Sequence, residues 1–273
     1  MATRAIDLST HINETVERGH PADFPVGLVR LFHAKDDATY EQVPHRLAVA
    51  RLDHGKVLSV VSDRYALVPH QRILEIVEEA LRPLDVGPVS RGVYVDRGGA
   101  RMRAILKFPG LARPVRDRDE ICPCLKIQNT YDGTSRIAVH IGAFRFVCTN
   151  LAVGGGGAFA GGFMSVHAGE IPLEEVGRQL AAYLKGFEAI VALYARWTET
   201  PLVHGAIDRI LETLPTRASK ALTQGIQASG ASTVFAAYNV ATAYATHDTR
   251  SYRTAFDLLA RINRGFQEAF PAS

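Results

Sequence analysis

The hydrophobic pattern of this chain changes its period once, and that change limits the folds it can adopt. Up to about residue 149, short runs of alternating apolar and polar residues are separated by turn residues, as in antiparallel strands. Over about 172–197 the apolar residues recur at helical spacing, and further helical patterns follow at about 202–214, 217–228, 232–246 and 251–268. Strands followed by helices predict an α+β fold: an antiparallel sheet of hairpins with one basic face, backed by a long helix and followed by a C-terminal helical region.

The same patterns divide the chain into three segments. Residues 1–25 read as an N-terminal arm, residues 26–198 as the α+β core, and residues 199–273 as a C-terminal helical region. The core includes an amphipathic helix at 70–81 that Pro83 stops.

Composition narrows the class of protein. With 47% hydrophobic and 22% charged residues in 273, the chain is typical of a globular protein. No run approaches the ~20 apolar residues of a membrane helix, and the N-terminus has no signal-peptide core, so a cytoplasmic protein is expected. Three cysteines form no disulfide framework, which agrees with a reducing compartment.

Positive charge is concentrated in the middle of the chain. Residues 82–145 carry 12 Lys and Arg against 6 Asp and Glu, whereas residues 1–81 carry 9 against 12 and residues 146–273 carry 10 against 10. A basic surface is the electrostatic signature of a polyanion-binding protein. A solvated sheet face without a ligand is the alternative.

One predicted strand displays this charge on a single face. Successive side chains of a strand point to opposite sides, so Arg101, Arg103 and Lys107 share one face and apolar residues occupy most of the other. In the next strand, at 121–128, Lys126 lies opposite the apolar residues. Pro123 within that strand suggests an edge position or a bulge.

A long strand predicted at 135–149 extends the basic face. Arg136 lies opposite the apolar residues, whereas strict alternation would place Arg145 among them. A bulge at Gly142 and the following alanine would move Arg145 to the side of Arg136. The residues predicted to contact nucleic acid are Arg101, Arg103, Lys107, Lys126, Arg136 and Arg145 through phosphates, and Tyr131, in the preceding turn, through a base. Tyr94 is the other aromatic residue placed for stacking.

Motifs for catalysis and cofactors are missing. The sequence contains no GxxxxGK[ST], GxSxG or HExxH, and its glycine-rich stretch lacks the context of a dinucleotide site, so no cofactor is expected. Cys122 and Cys124 lack the CxxC spacing of zinc sites; they are better interpreted as structural, with a soft-metal or oxidative pair as the alternative. The acidic residues Asp117, Asp119 and Glu120 are interleaved with arginines, which favours local charge balance over a metal site.

Several motifs resemble a known family. Residues 60–68 (VVSDRYALV), 129–135 (NTYDGTS) and 144–150 (FRFVCTN), with Tyr238-Asn239 near the C-terminus, are similar to signatures of the phage/plasmid-like proteins, domain-of-unknown-function family nine hundred and thirty-two. The resemblance spans about residues 45–260 and implies no activity. A weaker likeness, of architecture alone, is to the single-strand annealing proteins of phages and eukaryotes, which bind single-stranded DNA in a basic groove without ATP.

The hypothesis that follows is a binding protein and not an enzyme. We expect ATP-independent binding of single-stranded DNA and strand annealing in mobile-element recombination, by a homo-oligomer with no cofactor and no metal. Phosphate contacts would hold the backbone while the bases stay free to pair. The alternative is a plasmid or phage structural or regulatory interaction protein without nucleic-acid binding; a nuclease is a third reading.

Overall fold

The computed structural model describes residues 21–35, 37, 39–145, 151–153, 161–165, 173–249 and 252–271. Within this part, the chain forms two antiparallel sheets and six α-helices, which confirms the predicted α+β class. Most of the predicted N-terminal arm lies outside the described residues.

A small sheet comes first in the chain. Its strands are β1 (Val26–Ala34), β2 (Tyr40–Arg51) and β3 (Val57–Ser62), paired in that order. The turn between β2 and β3 contains Gly55 at a φ of 72°, a left-handed conformation that glycine adopts without a steric penalty.

A helix, α1 (His70–Leu81), separates the small sheet from a large one. The strands of the large sheet are β4 (Ser90–Asp96), β5 (Arg101–Lys107), β6 (Arg113–Arg116), β7 (Asp119–Thr130), β8 (Ile137–Arg145), β9 (Leu151–Val153) and β10 (Gly161–Ser165). They pair in the order β10-β8-β7-β5-β4, with β6 added beside β7 and β9 beside β8.

The position of Pro123 corrects one expectation. Its strand, β7, lies between β5 and β8 and is not an edge, and its pairing with β8 contains no bulge. The Phe108 N–H donates to the Pro123 carbonyl (3.1 Å), so both backbone atoms of Pro123 face the side where β5 has just ended. The N–H that proline lacks would point to that same side, so its absence removes no hydrogen bond between β7 and β8.

The charged segment after β5 is also more regular than predicted. Part of the predicted loop at 113–120 is β6, which pairs with the beginning of β7 as a tight hairpin. Arg118 takes a positive φ of 57° at its turn.

The predicted bulge in β8 is wrong. The pairs between β7 and β8 run in unbroken register from Ile121 with Arg145 to Gln128 with Ala138. Gly142 keeps the strand period, so Arg145 stays on the face of the apolar β8 residues. Phe146, the next residue, lies outside the described part of the chain.

The helices pack into one core with the large sheet. They are α2 (Leu173–Glu199), α3 (His204–Glu212), α4 (Thr216–Ser229), α5 (Val234–His247) and α6 (Tyr252–Ala269), in addition to α1. Each of the six contributes buried side chains to a cluster that also contains Met102, Leu106 and Ile121 of the large sheet. Strands β1 to β3 contribute none, so the small sheet lies outside this core.

Candidate nucleic-acid interface

Four of the predicted basic residues share one face of the large sheet. Residue Ile105 of β5 pairs with Lys126 of β7. Because side chains two apart along a strand lie on the same side, Arg101, Arg103 and Lys107 project to the side of Ile105 and therefore of Lys126. This part of the predicted face is present in the structure.

The accessibility of that face falls steeply along the strands. Arg136 is exposed, the Arg101 side chain is 26% exposed and the Arg103 side chain 15%. At the centre of the sheet Lys126 is only 2% exposed. The face is thus open at the end where β5 begins and β7 ends, and closed toward its middle.

Of the two lysines, Lys126 belongs to the closed part and Lys107 is half-buried at the far end of β5. Burial lowers the pKa of Lys126 to about 7. His140, its cross-strand partner on β8, has its pKa lowered to about 4 by burial and by the charge of Lys126. Burial also lowers the pKa of Lys107, whose Nζ lies 4.5 Å from the centre of the Phe144 ring. Lys126 is therefore removed from the predicted phosphate contacts, because a ligand cannot reach a side chain so deeply buried.

Two arginines of β5 are held by neighbouring carboxylates. Arg101 donates from Nε to Asp132 (2.6 Å), and Arg103 lies 3.4 Å from Asp96. Burial alone would raise the pKa of Asp132, but hydrogen bonds from Thr134 and Arg101 outweigh it and lower that pKa. The ion pairs fix both guanidinium groups beside the open end of the face.

Tyr131 is not available to stack on a base, contrary to the prediction. Its side chain is fully buried and its ring is stacked on His70, with centres 4.0 Å apart. The His70 backbone N–H donates to the Tyr131 hydroxyl (2.7 Å) at the start of α1. Asn129 Nδ2 donates to His70 Nδ1 and His70 Nε2 donates to the Gly99 carbonyl, which fixes the neutral imidazole. Tyr131 therefore joins α1 to the sheet.

Arg145 lies on the opposite face of the sheet, so its predicted place beside Arg136 is wrong. Its Nε donates to Asp119 (2.6 Å), and its guanidinium lies 5.2 Å from the centre of the Phe235 ring of α5. Both members of the ion pair are buried, with side chains 11% and 3% exposed. This pair ties the sheet to the C-terminal helices.

Three exposed cations surround the open end of the basic face. Arg97 lies in the β4–β5 turn, and Arg136 follows the β7–β8 turn at the same end of the sheet. The Lys56 side chain crosses from the small sheet and covers Gly98. Among the described residues, no carboxylate lies within 4.0 Å of these three cations. Together with the two β5 arginines they form what we call the turn-end cluster: Lys56, Arg97, Arg101, Arg103 and Arg136.

Sequence reasoning missed two members of this cluster. Arg97 belongs to the basic segment, but it lies in a turn, where strand alternation does not indicate which face of the sheet its side chain occupies. Its φ of 54° is uncommon for a residue with a side chain. Lys56 belongs to an earlier hairpin, and only the packing of one sheet against the other brings it close. An exposed aromatic residue completes the surface: Tyr94 is 38% exposed and pairs directly with Arg103 across β4 and β5.

Among the described residues, neither the two β7 cysteines nor the acidic residues near them belong to a cluster that could hold a metal ion. Cys122 and Cys124 are buried free thiols, and burial raises their pKa values to about 11 and about 12. In the described part of the chain, no three His, Cys, Asp or Glu side chains cluster so that they could hold a metal ion. Asp119 instead accepts hydrogen bonds from Arg145 and Arg116.

Comparison with known protein families identifies the family of this chain. A family model described as a domain of unknown function, DUF932, matches residues 57–268, most of the chain. The protein belongs to the DUF932 family. Neither the curated proteins nor the solved structures include a match. The DUF932 match contains four members of the turn-end cluster and begins one residue after Lys56.

Among the described residues, none of the helices is both long and apolar enough to cross a bilayer.

Proposed function

We propose that this protein binds single-stranded DNA through backbone phosphates at the turn-end cluster, and that it anneals complementary strands without ATP as a homo-oligomer. The observation that carries this proposal is the convergence of five cations on one end of the large sheet, three of them exposed and without a carboxylate within 4.0 Å among the described residues. Phosphate contacts provide most of the affinity of proteins for nucleic acid without reading its sequence.

The spacing of the arginines suits an extended strand. Arg101 and Arg103 are two residues apart on β5, which separates them by about 6.6–6.8 Å along the strand direction. Arg136 is the residue that extends β8 by one beyond Ile137, two strands away from Arg101 across Thr130. Strands lie about 4.7–4.9 Å apart, so the cluster is long enough to contact several phosphates.

Tyr94 takes the role that was predicted for Tyr131. Its ring is exposed, and it lies next to Arg103 on the basic face. A single strand held by its phosphates can stack a base on such a ring, and stacking tolerates any base. One aromatic residue beside five cations favours backbone recognition with weak sequence preference, which suits annealing because the other bases stay free to pair.

The test removes two exposed members of the cluster. We expect Arg97→Ala with Arg136→Ala to weaken binding of every single-stranded sequence about equally. The slope of log affinity against log salt should shrink by about 1.4, because each lost phosphate contact accounts for about 0.7. Stability should change by no more than ~0.5 kcal/mol, since both side chains are exposed.

A matched control removes the same charge elsewhere. Arg209 and Lys220 are exposed on α3 and α4, and replacing both with alanine should leave binding and its salt slope close to those of the parent. If the Arg97 and Arg136 variant is folded and binds like the parent, or if the control variant loses as much affinity, the turn-end cluster is not the binding site.

A further inference from the structure

A cavity of about 350 Å³, which we call the C-terminal cavity, lies among three of the C-terminal helices. Its walls come from the beginning of α4, the end of α5 and the first part of α6, and it shares no residue with the turn-end cluster. Sites for small molecules are concave and about 300–1,000 Å³ in volume, with mostly apolar walls and a few polar groups that orient the ligand. The volume of this cavity is therefore sufficient for a small organic molecule.

The most deeply buried part of the cavity wall is apolar. Ala218 of α4 is 6% exposed and Leu258 of α6 is 4% exposed. Tyr244 of α5 is half-buried and packs against the common core, and its hydroxyl makes no hydrogen bond within the described part of the chain. This wall suits an apolar group of a ligand, with the tyrosine hydroxyl available to a polar one.

Charged side chains of both signs surround the apolar wall without pairing across it. Arg217 and Arg261 line the cavity, and among the described residues neither has a carboxylate within 4.0 Å. Arg261 donates a long hydrogen bond to the Thr213 carbonyl (3.4 Å). Asp248 lines the same cavity, and no cationic side chain in the described ranges comes within 4.0 Å of its carboxylate. With Asp257, which also lines it, the cavity carries two positive and two negative groups.

Two of these charges lie at helix ends that disfavour them. Arg217 belongs to the first turn of α4, which contains no acidic residue, and Asp248 is the C-terminal cap of α5. A cation near the N-terminus of a helix, or a carboxylate near its C-terminus, meets the partial charge of its own sign on the helix dipole. Neither an ion pair nor the helix dipole therefore explains these two charges, whereas a ligand that carries the opposite charges does.

We propose that the C-terminal cavity binds a small zwitterion with an apolar side chain, of the chemical class of the free apolar amino acids. The carboxylate of the ligand meets Arg217 and Arg261, its ammonium group meets Asp248, and its side chain covers Leu258. A zwitterion provides both opposite charges at once and keeps the cavity neutral, which a simple anion or a simple amine does not. This site is independent of the proposed binding of DNA.

The experiment measures binding by titration calorimetry on the full chain without DNA. The probes are L-leucine, L-methionine and L-phenylalanine, each with two analogues that lack either the ammonium group or the carboxylate. We expect the folded protein to bind at least one of the three amino acids. The tightest of them should have a dissociation constant at least about tenfold lower than either of its analogues, because each analogue leaves one sign of charge in the cavity without a partner.

Single variants test whether the probe occupies this cavity. Arg217→Ala and Asp248→Asn should each raise the dissociation constant of the tightest amino acid at least about tenfold. Without ligand, both variants should unfold at the temperature of the parent or above it, because each removes a charge from a helix end that disfavours it. The matched controls are Arg209→Ala and Asp208→Asn, exposed on α3 and outside the cavity, which should bind like the parent.

Three results would overturn the proposal. The first is a folded parent that binds none of the three amino acids. The second is equal binding of an amino acid and one of its analogues, which would mean that a single charge suffices. The third is unchanged binding by both Arg217→Ala and Asp248→Asn, which would place the probe outside this cavity.

Discussion

A buried lysine is the most unusual residue of the large sheet. The sequence predicts Lys126 on a solvated face, because strand alternation indicates the face on which a side chain lies but not how deeply it is buried. The structure confirms the side and buries the amine to 2% exposure, with a pKa lowered to about 7 by that burial. The unfolded chain keeps an ordinary lysine pKa, so between about pH 7 and pH 10 it binds more protons than the folded protein.

The first prediction concerns this proton difference. Stability rises with pH wherever the unfolded state binds more protons, so the contribution of Lys126 should rise by up to about 1.4 kcal/mol per pH unit above pH 7. Lys126→Met should remove that dependence and be more stable than the parent at neutral pH. Urea unfolding at several pH values from 6 to 9 measures this contribution, as the difference in the free energy of unfolding between parent and variant.

Comparing the two proteins cancels the titration of groups that do not interact with Lys126, and His140, which does, has a pKa of about 4 and titrates below this pH range. The control is Lys220→Met on α4, which is exposed and should follow the parent at each pH. A constant difference between parent and Lys126→Met across this range would mean that the amine titrates normally in the folded protein.

Tyr131 provides a second prediction at this scale. Replacing it with phenylalanine keeps the ring stacked on His70 but leaves the first N–H of α1 buried without its acceptor. The free energy of unfolding should fall by about 1–3 kcal/mol, while affinity for single-stranded DNA should stay within twofold of the parent. A folded Tyr131→Phe variant that loses DNA affinity would return this residue to the binding surface.

At the scale of elements, the sequence predicted what is local. The helices begin and end within a few residues of their expected bounds, because helical spacing, prolines and caps act over one or two turns. The faces of β5 and β7 also followed from alternation. The β8 bulge did not, since a glycine permits a bulge but the register is set by the strand that pairs with it, and β7 pairs without interruption.

Continuous pairing gives Arg145 a structural role that can be measured. Asp119→Ala leaves the buried guanidinium without its carboxylate and should cost about 3–5 kcal/mol in urea unfolding. Adding Arg145→Met should recover part of that loss, because the variant then buries neither charge. Additive losses in the double-mutant cycle would mean that the two residues do not interact in solution.

At the scale of the whole molecule, the sequence did not predict that the strands divide into two sheets. Alternation within β3 and β4 does not indicate whether these two strands pair with each other. In the structure they belong to different sheets, and α1 connects them. The position of the candidate site depends on this division. Lys56 reaches Gly98 only because the small sheet packs beside the β4–β5 turn. Tyr65, which donates to the Thr130 carbonyl (3.4 Å), adds a contact at the same junction.

The proposed function requires single-stranded DNA to bind to the turn-end cluster through its phosphates. The most direct measurement is the affinity of the unmodified protein for labelled single-stranded and duplex DNA over a range of salt concentrations. With three exposed cations and two more beside them, we predict a slope of log affinity against log salt between about −2 and −3.5 for single strands. Affinity should be nearly independent of sequence and higher for single strands than for duplex. Absence of binding at low salt, or binding that does not change with salt, would mean that the turn-end cluster does not hold DNA through phosphates.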